Sequence, residues 1–194
     1  MSDDKLNKNA ETGSEQSLSN SESDLDILKD QICPFCHSKT LTLIENERNI
    51  PYFGKMFIFS MECSNCGYFH ADIESDKEQE PSKYKFKVEK SDDLTVRVIK
   101  SAKATIKIPH IMTITPGPVS NGYVTNIEGI LNRVEKMLEE QYEAEEDNDK
   151  KKKLKNMIKK IHRAKAGFDP LEITIEDPTG SSAIISDKAI KSKL

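Results

Sequence analysis

Cys33-Pro34-Phe35-Cys36 and Cys63-Ser64-Asn65-Cys66-Gly67-Tyr68 each contain a C-x-x-C pair, and residues 37–62 between them suffice for a β-hairpin that brings the pairs together. A two-residue spacer lets one tight turn present two sulfurs, and four thiolates complete a tetrahedral zinc site. Gly67 suits a turn that needs φ > 0 just after the second pair, and His37 holds the equivalent place after the first. A redox dithiol needs one pair inside a βαβ pattern, and disulfides need an oxidising compartment. Two pairs among β-prone residues, with no export signal, point instead to structural Zn²⁺ held by Cys33, Cys36, Cys63 and Cys66. Four sulfurs leave no open position for water or substrate, so the metal stabilises rather than catalyses. His37 and His70 read as surface or packing residues.

Outward from the cysteines, Thr40 to Ile44 and Lys55 to Met61 are β-prone, and together they make a zinc finger over about residues 30–76. Between these strands, Ile50-Pro51-Tyr52-Phe53-Gly54 reads as an apolar turn, either packed against the zinc site or presented as a contact surface. Before the finger, residues 1–29 are rich in Ser, Asn, Asp and Glu and read as a disordered acidic tail.

After the finger, Lys83 to Glu89 alternates apolar and polar residues as a half-solvated strand does, and Leu94 to Lys100 and Ala104 to Ile108 repeat the pattern. His110 to Thr115 adds a further short strand, and the Pro116 to Gly122 segment breaks the series. Leu171 to Glu176 and Ser182 to Ile185 close an antiparallel β domain over residues 77–187, joined by the turn Asp177-Pro178-Thr179-Gly180. Asp177 reads as a turn residue rather than a catalytic carboxylate. Residues 188–194 read as a frayed end.

Inside this domain the period changes to 3.6. A capping box at Thr125-Asn126-Ile127-Glu128 starts a helix whose apolar face is Ile127, Ile130, Leu131, Val134, Met137 and Leu138. A second helix carries Leu154, Met157, Ile158 and Ile161, so residues 125–166 form an inserted helical hairpin. Its first arm ends in Glu139, Glu140, Glu143, Glu145, Glu146 and Asp147, and its second carries Lys150 to Lys153, Lys155, Lys159, Lys160, Arg163 and Lys165. One reading sets the two charged arms face to face. The other is a projecting arm that grips a partner.

The whole chain has 194 residues, 36% hydrophobic and 32% charged, with no Trp and a formal net charge of −4. That balance argues against a general nucleic-acid binder, and no apolar run approaches the length of a membrane span. The fold class is mainly β with an α+β character: a Cys₄ zinc ribbon, then an antiparallel β domain. No phosphate-binding G-x-x-x-x-G-K-[ST] loop is present.

The ordered set Cys33-Pro34-x-Cys36, Ile50-Pro51-x-Phe53, Cys63-x-x-Cys66-Gly67-Tyr68, Lys100-Ser101, Ile108-Pro109, Val124-Thr125-Asn126-Ile127-Glu128-Gly129 and Asp177-Pro178-Thr179-Gly180 resembles the ZPR-type zinc-finger family over about Ile32 to Ile185. Eukaryotic members resemble two such modules, and this single copy resembles the archaeal branch. Ser181 stands where the family usually has Asn. The resemblance implies a double-stranded β-helix-like domain carrying the hairpin, and the same four cysteines as zinc ligands. It also implies a cytoplasmic, non-enzymatic adaptor or folding factor for a translational GTPase, the homologue of elongation factor one-alpha. The rival reading is a zinc-ribbon nucleic-acid-binding module of the translation or transcription apparatus.

Overall fold

The computed structural model describes residues 25–50, 54–76 and 79–194. Residues 1–24 of the expected acidic tail, and the Pro51-Tyr52-Phe53 turn, lie outside the described residues. The finger is a four-stranded antiparallel sheet in sequence order: β1 (Leu25–Gln31), β2 (Leu41–Ile50), β3 (Gly54–Cys63) and β4 (Phe69–Ser75). Residues 25–29 were expected in the tail and belong instead to β1, because Ile27 and Leu28 find apolar cross-strand partners in Ile44 and Leu43.

Two further sheets build the second domain. Strands β5 (Ser82–Val88), β7 (Thr105–Ile108), β8 (Met112–Ile114), β10 (Leu171–Asp177) and β12 (Ile190–Lys193) form one, in the order β12-β5-β10-β7-β8. Strands β6 (Arg97–Lys100), β9 (Tyr123–Asn126) and β11 (Ala183–Ile185) form the other, in the order β11-β6-β9. In β5 the alternation works as read: Tyr84, Phe86 and Val88 are buried, and the lysines between them point away. The core gathers Phe86, Ile99, Ile106, Ile173 and Ile175 from both sheets with the inner face of α1 (Ile127–Ala144).

Three expectations are corrected here. The stretch Leu94 to Lys100 is a strand only from Arg97, since Ser91–Thr95 is a 3₁₀ turn. Buried Asp93 holds that turn by accepting the backbone N–H groups of Glu89 and Lys90 at 2.9 and 3.2 Å, and Lys188 caps it at 2.8 Å. Residues 188–194 are not frayed: β12 pairs with β5 from Ile190↔Lys85 to Lys193↔Ser82, giving the outer edge of β5 a partner. The cap of α1 is Asn126 rather than Thr125. Its side chain accepts the Gly129 N–H at 2.8 Å, while Thr125 remains in β9.

The hairpin's root is core and its far end projects. Ile127, Ile130, Leu131, Val134 and Leu138 are buried, whereas Met137 is partly exposed. Helix α2 (Asn148–Lys165) buries only Ile161 and Ala164. The two arms do pair near the root, where Glu135 receives both His162 and Lys165. Toward the tip the pairing fades to Lys150–Glu145 at 3.7 Å. Among the described residues no carboxylate lies within ion-pair distance of Lys152, Lys155, Lys159 or Lys160. Each arm therefore keeps most of its own charge exposed.

The distal end of the finger is packed into the β domain. Met56 and Ile73 are buried in the shared core. Asn121 Oδ1 accepts the Ala71 N–H at 3.0 Å, Gly122 N–H donates to the Ala71 carbonyl at 2.8 Å, and Asp72 accepts the Ala102 N–H at 2.7 Å. Gly122 is required at this approach, because a Cβ there would lie 2.5 Å from Asp72 Oδ1 and 3.0 Å from its Cα. One end of the finger is thus fixed, and the cysteine end points away from that junction.

Candidate metal centre

The two C-x-x-C turns have the same backbone. Cys33 N–H donates to Ser38 O and Cys63 N–H to Tyr68 O, both at 2.9 Å, while His37 N–H and Gly67 N–H return to the carbonyls of Cys33 and Cys63, also at 2.9 Å. Closing such a turn puts its fifth residue in the left-handed region, at φ 59° for His37 and 70° for Gly67. This explains why glycine follows one pair and why His37 tolerates, rather than suits, the other.

Register does the rest. Leu41↔Cys63 pairing at the end of the hairpin brings the second turn beside the first. All four sulfurs lie within 4.8 Å of one another. Cys33 and Cys66 are 3.8 Å apart and Cys36 and Cys63 3.7 Å. A tetrahedron with metal–sulfur bonds of about 2.3 Å has edges of about 3.8 Å, so these two separations fit zinc.

Polar neighbours tune the sulfurs. Ser38 Oγ lies 3.0 Å from Cys36 Sγ and Thr40 Oγ1 lies 3.3 Å from Cys63 Sγ; Asn65 Nδ2 donates to Cys36 Sγ at 3.5 Å. Without metal, the Ser38 hydroxyl, helped by Asn65, lowers Cys36 to about 7. The Thr40 hydroxyl lowers Cys63 to about 5. At Cys66 a backbone hydrogen bond from Tyr68 lowers the pKa, but burial and the three neighbouring sulfurs outweigh it and push the thiol up to about 12. The hydroxyls favour the thiolate form at Cys36 and Cys63, and metal binding takes the proton from Cys66. Sequence reasoning missed Ser38, Thr40 and Asn65; the available signal was the hydroxyl and amide residues set within and just after the C-x-x-C turns.

None of the four histidines joins the sulfur cluster. His37 occupies its left-handed turn, His70 packs its ring 6.3 Å from Phe59, His110 sits at φ 61° between β7 and β8, and His162 pairs with Glu135. Asp177 is completely buried and satisfied. It accepts Ser101 Oγ at 2.8 Å, Ser182 Oγ at 2.5 Å, and the Thr179 N–H and hydroxyl at 2.8 and 2.7 Å, which is a structural turn. Lys100 is buried nearby and gives its ammonium to the Ser101 carbonyl at 2.9 Å; burial lowers its pKa. Exposed apolar side chains stand beside the metal centre among exposed polar ones: Phe35 is 77% exposed and stacks on Tyr68 at 6.1 Å, and Ile32 and Phe69, next in sequence to Cys33 and Tyr68, are exposed too. No helix of the described residues is long and apolar enough to cross a membrane.

Comparison with known proteins agrees with this arrangement. A profile described as the ZPR1 zinc-finger domain matches residues 28–81, and one described as the ZPR1 jelly-roll domain matches residues 92–193. The chain is 38% identical to an uncharacterized ZPR1-like protein of Pyrococcus horikoshii over 84% of its own length and 75% of the relative's. It is 36% identical to a ZPR1-like protein of Methanocaldococcus jannaschii, covering 80% of this chain and 79% of the other. It is 34% identical to the zinc finger chaperone zpr1 of Schizosaccharomyces pombe over 70% of this chain but only 30% of that longer protein. With the zinc-finger profile spanning all four clustered cysteines, the centre is a structural zinc site.

Proposed function

The chain belongs to the ZPR1 zinc-finger family, and on that premise we propose that it is a non-enzymatic adaptor or folding factor for a translational GTPase, the elongation factor one-alpha homologue of its cell. The observation that carries this reading is the closed four-sulfur cluster with an exposed aromatic tip, in a chain related to a protein named as a chaperone. Cys33, Cys36, Cys63 and Cys66 are assigned as the ligands. Bound zinc supplies rigidity to the two turns, and a four-sulfur shell leaves it no position for a substrate. The chain's own residues do the binding. Phe35, Ile32 and Phe69 offer apolar contact held at fixed spacing by the metal, and the hairpin offers charged arms for orientation. A binder that prefers one conformer of the GTPase shifts its population by the difference in affinity, so folding is assisted without chemistry. Thiolate zinc ligands keep best in a reducing compartment, which supports a cytoplasmic location for this reading.

A second reading is favoured by the unpaired lysines of α2: nucleic-acid binding along that helix. It requires affinity that falls steeply with salt and is lost when Lys152, Lys155 and Lys159 are neutralised. The deciding experiment mixes the zinc-loaded chain with the purified elongation factor homologue, in GDP and GTP forms, and measures binding for wild type and for Cys63→Ser/Cys66→Ser. Binding by wild type alone supports the adaptor. Absence of GTPase binding together with salt-sensitive RNA binding transfers the function to the lysine face.

A further inference from the structure

Away from β4, the finger sheet has one face and one edge that the β domain does not use. Met56, Ile58 and Ile73 face the junction, so Leu28, Leu43, Phe59 and Met61, which alternate with that set, face outward. With Asp26 and Glu45 they line a hollow of about 620 Å³. Beside it runs the edge of β1, which pairs only with β2 among the described residues. Leu25, Ile27 and Leu28 there are 49%, 47% and 60% exposed. Native sheets ordinarily blunt or cover a bare apolar edge. This one stays regular from Leu25 to Leu28, until a register shift and Asp30 at φ 57° end it.

The charges at this edge are unusual. Asp26 and Glu45 stand directly opposite each other in the ladder, both exposed, and neither takes part in an ion pair among the described residues. Like charges in that position repel, and a cation delivered by an added strand relieves the repulsion. A second copy of the chain does not deliver one over the regular stretch. Edge-to-edge pairing there with the outer faces on the same side sets Asp26 against Asp26 or Leu28.

We propose that the free edge of β1 is a docking strip for an extended, positively charged segment of a partner protein, added as a fifth antiparallel strand. Read in register, the incoming segment places an apolar residue beside Leu28, a second beside Ile27, a lysine or arginine beside Asp26 and Glu45, and an apolar residue beside Leu25. The recognised pattern is apolar-apolar-cation-apolar, with main-chain hydrogen bonds giving affinity and alternate side chains giving selectivity. This inference rests on the reading of the chain as a protein-binding factor and names the segment such a factor takes from an incompletely folded client.

The test is fluorescence anisotropy with the full zinc-loaded chain and a short labelled peptide whose core is valine-isoleucine-lysine-valine, against the same peptide with glutamate for lysine. The lysine peptide binds, and the glutamate peptide binds roughly tenfold more weakly. Asp26→Lys/Glu45→Lys reverses that preference, and Leu28→Ser weakens both peptides while zinc content stays unchanged. Hydrogen exchange at Leu25 to Leu28 slows on binding. Equal affinity for both peptides in wild type and charge-swapped protein overturns the proposal. So does binding seen only after residues 1–24 are removed, which assigns the edge to the chain's own segment, or dimerisation abolished by Leu28→Ser. The assay contains no GTPase, so its failure leaves the adaptor reading standing, and failure of the adaptor reading leaves this result unaffected.

Discussion

At the zinc end of the finger the buried cluster is Cys33, Leu41 and Cys63, two of them sulfur donors, whereas the β domain buries large side chains from both sheets and from α1. One end of the molecule is held by sulfur chemistry and the other by apolar burial. The finger sheet joins the two regimes, since β3 begins beside buried Met56 in the domain core and ends at Cys63 in the metal centre. The comparison teaches where each kind of damage should stop. Loss of metal should propagate only as far along β2 and β3 as packing fails to hold them, and a cavity in the β domain should leave the sulfurs in place.

The largest effect expected is at the metal. Apparent binding energy of structural zinc is about 10–16 kcal/mol, far beyond what Leu41 alone contributes, so Cys63→Ser/Cys66→Ser abolishes zinc binding and unfolds the tip. Metal analysis and circular dichroism check this, with the helical signal of α1 and α2 retained. The pH dependence has a definite sign. Binding requires thiolates, and the Cys66 thiol at about 12 must lose its proton at any ordinary pH. Zinc affinity therefore falls as pH falls, by about tenfold per unit for each thiol proton that binding displaces. Below about pH 7 it falls more steeply, as Cys36 also holds a proton. Competition with a chelator across that range measures the slope.

Next in size is Leu131→Ala, which opens a cavity under α1 in the β domain and should cost about 2–5 kcal/mol in denaturant unfolding. Zinc content should not change. The smallest effect sharpens the reading of the hairpin. Asn126→Ala removes the cap on Gly129 N–H and should cost about 0.5–2 kcal/mol, while Thr125→Ala costs less. The reverse order would restore Thr125 as the cap.

The readable parts of this sequence were those where local chemistry is repetitive. Doubled C-x-x-C turns, the alternation of Lys83 to Glu89 and the 3.6 period from Ile127 to Leu138 each announce one geometry, and the structure has them. What was illegible depended on partners distant in sequence. β1 looks like acidic tail until Leu43 and Ile44 are beside it, and β12 looks like a frayed end until β5 offers an open edge. Asp93 turns the chain through its own backbone contacts and through Lys188 from the far end of the domain. The cap moved by one residue because Asn126 and Thr125 are both good cap residues and only the end of β9 decides between them. The hydroxyls beside the sulfurs were visible as residue types but not as hydrogen-bond partners.

The most direct test of this division of labour is residue-resolved hydrogen exchange on the full chain before and after zinc is removed by a chelator. The predicted result is loss of protection at Leu41 to Leu43 and Met61 to Cys63, with protection kept at Ile58, Ile73 and throughout β5, β10 and α1. Uniform loss across the β domain, or unchanged protection at the cysteine turns, would contradict it.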